Sequence, residues 1–278
     1  MSLMTPLQDQ RPEPAGAWTA EDCAALETAI QQLERMSFAT RMTGLLGRQI
    51  ESVSAIVPQR IRSLAATATT KALHVAMQTA LRSLRHETAS ASPRLHRALA
   101  TATGAAGGAF GFASLPVELP LSTVILLRSI ADIARQHDED LSQPDAALAC
   151  MEVFALGSRS PDDDYMDSSY FAVRTLLART ISEATRYMTA TAAANEAAPI
   201  MVRLITQIAA RFGIVVSQKI AAQAIPLIGA AGGAAVNYAF MEHFQTLARG
   251  HFTIRHLERK YGAEEVKRNY NKAYASEK

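Results

Sequence analysis

The hexapeptide Gly104-Ala-Ala-Gly-Gly-Ala109 recurs as Gly229-Ala-Ala-Gly-Gly-Ala234, and each copy lies inside a long stretch without charge. The first stretch, Ala98 to Val117, has 20 residues; the second, Ile220 to Met241, has 22. A helix needs about 20 apolar residues to cross the hydrocarbon core of a bilayer, so both are of that length. Glycine costs a water-exposed helix about 1 kcal/mol relative to alanine, so clustered glycines demand close packing in return. Gly107 and Gly111, like Gly229 and Gly233, stand one helical turn apart, which clears a face for the approach of another backbone. The pattern predicts two glycine- and alanine-rich helices packed near one another at the centre of the fold. Gly104, Gly107, Gly108, Gly111, Gly229, Gly232 and Gly233 are the candidate contact and lipid-facing positions. Reversible insertion into lipid competes with simple burial. Full spanning is disfavoured, because Pro116 and Pro120 interrupt the first stretch and the second is mostly Ala and Gly, with weak transfer energy per residue.

The rest of the chain reads as helix. Ala makes up 52 of the 278 residues, aromatic residues make up 6%, and no segment shows convincing period-2 alternation. The fold class expected is all-α, a multi-helix bundle. Met1 to Gly16, polar and interrupted by three prolines, reads as a disordered tail (1–16), and 17–278 as a single all-α domain. Thr19 is placed to cap a first helix, and Pro58 to open a long one whose stripe is Ile61, Leu64, Ala68, Ala72, Val75 and Thr79. Ser142-Gln-Pro-Asp145 marks a helix start, and Gly157 its stop. Ser160-Pro-Asp162 marks the next start, of a helix that reaches Ala194. Pro199, Gly213 and Pro226 punctuate the helices that follow, and a last long helix runs from Gly229 to Tyr261.

Composition excludes several classes. The 28 basic and 26 acidic residues nearly cancel, giving net charge +2 and no electrostatic footprint for nucleic acid. Only Cys23 and Cys150 are present, so the chain is no disulfide scaffold. No apolar leader precedes the body, and a cytoplasmic location is expected, with the protein peripheral at the inner face of the cell membrane where lipid contact applies.

Three runs resemble the EcsC family of bacterial proteins in their order along the chain. They are Leu115-Pro-Val-Glu-Leu-Pro120 with Leu126-Leu-Arg-Ser-Ile-Ala-Asp-Ile-Ala134, then Gln223 to Phe240, then His251-Phe252 with Leu257-Glu-Arg-Lys-Tyr-Gly262. The resemblance covers about Phe38 to Tyr270. The family is named after a gene beside an ABC transporter operon, and its biochemical function is not established. The resemblance therefore implies a fold, and by association an accessory role to membrane transport. Some members carry peptidase labels.

Catalytic patterns are sparse. There is no GxSxG, no phosphate-binding loop, and His86-Glu87 lacks the second histidine of a zinc helix. His243, His251, His256 and Glu258 form the best metal candidate. On one helix His243 and His251 stand about 12 Å apart, so an ion would need ligands from elsewhere, such as Glu118 or Glu152. His251 falls on the apolar stripe of Phe240, Phe244, Leu247, Ile254 and Tyr261 and reads as a core histidine. Glu118 and Arg128 are the charges of the first apolar region, and Asn237 lies on the apolar side of the second; all three are candidate buried polar groups. For Glu118 the readings are a helix-start carboxylate, a functional carboxylate or a buried ion pair with a remote arginine. Asp132 stands four residues after Arg128 and can bridge it. Asp162 to Asp164 reads as an acidic helix start. Arg60, Arg62, Lys71, Arg82, Arg85, Arg94 and Arg97 form a basic face that suits anionic head groups.

The function expected is that of a non-enzymatic cytoplasmic or peripheral membrane protein that handles lipid or a hydrophobic surface, or serves an ABC-type transport system. Membrane lipid or a transporter is the expected partner, and no cofactor is implied. The alternative is a metal-dependent hydrolase built on Glu118, Glu152, His243 and His251.

Overall fold

In the computed structural model the described residues are 17–34, 38, 41–42, 44, 58–82, 98–99, 101, 114–158, 169–190, 198–223 and 229–276. Among them the chain forms α1 (Ala20–Glu34), α2 (Gln59–Arg82), α3 (Leu115–Gln136), α4 (Pro144–Leu156), α5 (Ser169–Ala190), α6 (Pro199–Gln223), α7 (Gly229–Tyr261) and α8 (Ala263–Ser276), and no strand. The protein is an all-α bundle. Expected features that lie outside the described residues are the tail 1–16, Gly104 to Gly111, the Ser160 to Asp164 segment, Pro226, and Arg85, Arg94 and Arg97.

Local signals set most helix ends. Thr19 Oγ1 accepts the backbone N–H of Asp22 at 3.1 Å, the N-cap expected for α1. Pro144 occupies the first turn of α4, where a missing N–H does no harm. Gly262 takes φ +87° after α7, the left-handed stop that glycine adopts without strain. One expectation holds for a different reason and one is corrected. Gly157 does end α4, but with φ −70°, so no left-handed cap explains it. A Cβ there would stand 2.7 Å from the Phe244 ring, so its smallness answers a packing contact. Gly213 does not interrupt anything: α6 runs straight through it, on a face where a Cβ would meet nothing within 4 Å.

Among the described residues the helix enclosed on all sides is α4, while the first glycine-rich segment lies outside them. Every residue from Ala146 to Ala155 is buried, and α4 packs against α2, α3, α5, α6 and α7. Alanine supplies its close approaches, as glycine would, without glycine's entropy cost. The long α7 is the other organiser and touches α1, α3, α4, α6 and α8. Phe154, Phe212, Phe240 and Phe244 meet where α4, α6 and α7 join, with ring centroids 5.0 to 6.0 Å apart. On α2 the buried stripe is Ala65, Ala68, Ala72, Leu73, Ala76, Met77 and Ala80. It is rotated from the expected one: Ile61, Leu64, Val75 and Thr79 flank it half-buried, because the neighbouring helices approach the alanine-rich side most closely.

The first helix is fastened to the last two. Asp22 Oδ2 accepts Lys260 Nζ at 2.7 Å and Tyr261 Oη at 2.6 Å, and Trp18 stacks on Tyr261 with centroids 4.4 Å apart. Glu34 accepts Ser169 Oγ at 2.7 Å, the Tyr170 N–H at 3.1 Å and Tyr270 Oη at 3.0 Å.

Candidate functional site

Two polar constellations are set into this apolar body. The first is at the start of α3. Ser114 precedes the helix, Pro116 occupies its first turn, and Glu118 follows, where a carboxylate favours the positive helix end. Its Oε1 accepts Lys219 Nζ from α6 at 3.0 Å and Asn237 Nδ2 from α7 at 3.3 Å. Lys219 Nζ also lies 4.9 Å from the centroid of the Phe240 ring. All three residues are buried. Glu118 is thus the buried ion pair that the sequence leaves open, with a lysine where an arginine is expected.

Glu118 follows the last residue of the first uncharged stretch, Lys219 borders the second, and Asn237 lies within it. Hence the start of α3 meets the end of α6 and the first turns of α7, which carry the described part of the second stretch. Gly232 and Gly233 are buried there in α7. Around this junction Val117 is 73% exposed, Leu121 49% and Tyr238 42%. Next to it, Gly44, Ala234, Ala235, Tyr238 and Ala239 line an apolar hollow of about 620 Å³, bordered by an Arg41–Glu242 pair at 3.2 Å.

Arg128 is corrected: it is exposed, not buried, on the outer face of α3. Asp132 accepts Arg135 Nη1 at 2.8 Å. Arg60, Arg62, Lys71 and Arg82 are exposed along α2, as the basic face requires.

The second constellation lines a cleft of about 470 Å³ between α4, α5, α7 and α8. Glu152, only 5% exposed, lies at its floor. Burial pushes its carboxyl up to about 7, against the pull of Arg174 and Arg255. His251 Nε2 lies 3.9 Å from Glu152 Oε2, beyond hydrogen-bond reach. Tyr170 Oη lies 3.1 Å from His251 Nδ1. His251 Nε2 is buried without a hydrogen-bond partner among the described residues, a defect that costs about 1 to 3 kcal/mol. Burial, then Arg174 and Arg255, hold His251 well below the usual histidine range, so the ring is neutral. Arg174 grips Glu258 with two hydrogen bonds, at 2.6 and 3.1 Å. Arg255 is held by Glu139 at 2.8 Å and Asp145 at 2.6 Å.

The proposed hydrolase ligands are therefore divided. Glu152 and His251 come together, while Glu118 joins Lys219, and His243 Nε2 sits 3.1 Å from the Gly157 carbonyl. Burial lowers His243 to about 4, so it donates to that carbonyl as a neutral core histidine. His256 lies on the surface, 3.5 Å from Asp138. Among the described residues no group of three or more His, Cys, Asp or Glu side chains is placed to hold a metal.

Sequence reasoning missed Lys219, Tyr170 and Arg174, and stopped the helices at Gly262. Glu264 and Glu265 after that glycine, then Val266 and Tyr270 four residues apart, were the available signal for α8. Nothing local announced Tyr170 or Arg174, whose partners are 81 and 84 residues away.

The model of the EcsC protein family matches residues 23–257. No curated protein and no solved structure matches the chain.

Proposed function

The chain belongs to the EcsC protein family, and we propose that it works as a non-enzymatic protein at the inner face of the cell membrane, handling lipid or the apolar surface of a membrane transporter. The observation that carries this reading is the meeting of the start of α3, where the first uncharged stretch ends, with the described part of the second in α6 and α7, tied by Glu118, Lys219 and Asn237. Exposed Val117, Leu121 and Tyr238 lie about that junction, and apolar side chains left in water there gain about 25 cal/mol for each Å² they bury in lipid. The basic face of α2 adds attraction to anionic head groups, about 1 kcal/mol for each Lys or Arg near the surface.

Insertion at the surface fits better than spanning. Among the described residues only α6 is long and apolar enough to cross a bilayer, with mean hydropathy 1.6. Yet its Arg211 donates to the Ala155 and Ser158 carbonyls, and its Lys219 to Glu118, all inside the protein. Those contacts make α6 a core helix.

Flotation of the full chain with phosphatidylglycerol-containing vesicles tests the proposal. Binding at low salt that weakens as salt rises is expected. No binding at low salt overturns it. Metal analysis of the same preparation addresses the hydrolase alternative: one equivalent of a bound transition metal would favour it.

A further inference from the structure

The cleft over Glu152 is remote in its chemistry from the apolar junction and is not explained by it. Glu152 meets no hydrogen-bond donor among the described residues, and His251 Nε2 behind it meets no partner. A carboxyl left so, at the floor of an open cleft, invites a donor from the cleft side. We propose that this cleft binds a polyhydroxylated ligand of the sugar or polyol class, with Glu152 accepting a ligand hydroxyl.

Charge argues for a neutral ligand. The guanidinium groups that face Glu152 are already engaged, Arg174 by Glu258 on α7 and Arg255 by Glu139 and by Asp145 on Glu152's own helix. Glu264 and Lys267 from α8 add one charge of each sign at the rim, and Arg186 from α5, bonded to the Ser182 carbonyl, adds a cation farther along the cleft wall. An anionic ligand would have to displace these carboxylates, and an ammonium ion would sit beside two guanidiniums. A hydroxyl donates without either penalty. Fixed, planar Arg and Glu groups also present in-plane donors and acceptors that suit neighbouring hydroxyls. Phe171 and Ile181 supply an apolar wall for the C–H face of a ring. The volume falls in the range of a few hundred Å³ or more typical of small-ligand sites.

The test is saturation-transfer NMR and calorimetry on the full chain, with myo-inositol, glucose and glycerol as probes and acetate and methylammonium as charged controls. At least one hydroxylated probe binds, and its affinity rises about tenfold between about pH 5.5 and about pH 8.5, as the carboxyl ionises and its hydrogen bond becomes charge-assisted. Glu152→Met abolishes binding while the protein melts no lower than the parent. Should that variant fail to fold, the isosteric Glu152→Gln decides: its affinity is lower and flat with pH. Binding of no hydroxylated probe, preference for acetate or methylammonium, or an unchanged pH profile in Glu152→Gln each overturns the proposal.

Discussion

Lys219 Nζ lies 3.0 Å from Glu118 Oε1, and the two side chains are 1% and 5% exposed. Both charges have left water, so each depends on the other. Lys219→Met alone, or Glu118→Leu alone, strands one buried charge and should cost about 3 to 5 kcal/mol. The double variant removes both and should recover most of that loss, since an apolar pair often replaces a buried ion pair without penalty. Chemical denaturation of the four proteins measures this coupling. Additive losses would mean that the pair is not the link between α3 and α6.

Glu152 makes stability depend on pH in a defined direction. Its carboxyl is raised to about 7 in the folded chain, above the ordinary glutamate value in the unfolded one. Between those two values the folded state holds more protons, so stability falls as pH rises through that window. Its contribution is fully present only below the unfolded value. Relative to Glu152→Gln, the parent should lose about 1 to 3 kcal/mol between about pH 5 and about pH 8. His243, lowered to about 4, acts with the opposite sign and weakens the fold as pH falls from the ordinary histidine range. That effect is common to both proteins and cancels in the comparison. Melting temperatures across pH check it.

Two glycine substitutions should move stability in opposite directions. Gly213→Ala, in the interior of α6 with open space beside it, should stabilise by about 0.5 to 1 kcal/mol. Gly157→Ala sets a Cβ against Phe244 at 2.7 Å and should cost about 1 to 3 kcal/mol through overpacking. Thermal unfolding of the pair reads both signs.

Val117→Asp with Leu121→Asp should abolish vesicle flotation while changing stability by less than about 1 kcal/mol, because both side chains already face solvent. Flotation that survives the double change would remove this face from the contact surface.

Sequence periodicity reveals α7 almost completely. Its bounds and its stripe of Phe240, Phe244, Leu247, Ile254 and Tyr261, all buried, follow from spacing and a terminal glycine. Glu118 and Asn237 are legible as groups in need of partners because each carries polarity into a charge-free stretch. Their meeting is not legible, since 119 residues separate them and only the crossing of α3 and α7 joins them. On α2 the spacing fits two neighbouring stripes almost equally well in an alanine-rich helix, and tertiary packing chose between them. The cleft is hidden for a related reason: Glu152 is the single charge within the otherwise apolar core of α4, and its isolation becomes visible only once α5 and α7 are in place.

The grip of Asp22 on Lys260 and Tyr261, and of Glu34 on Tyr270, sets an order for biosynthesis. α1 leaves the ribosome first, yet its two buried carboxylates acquire these partners only when the chain has been made as far as Tyr270. The seam between α1 and the α7–α8 pair therefore closes only after both of those helices have been made, whereas the Glu34 bonds to Ser169 and Tyr170 can form earlier.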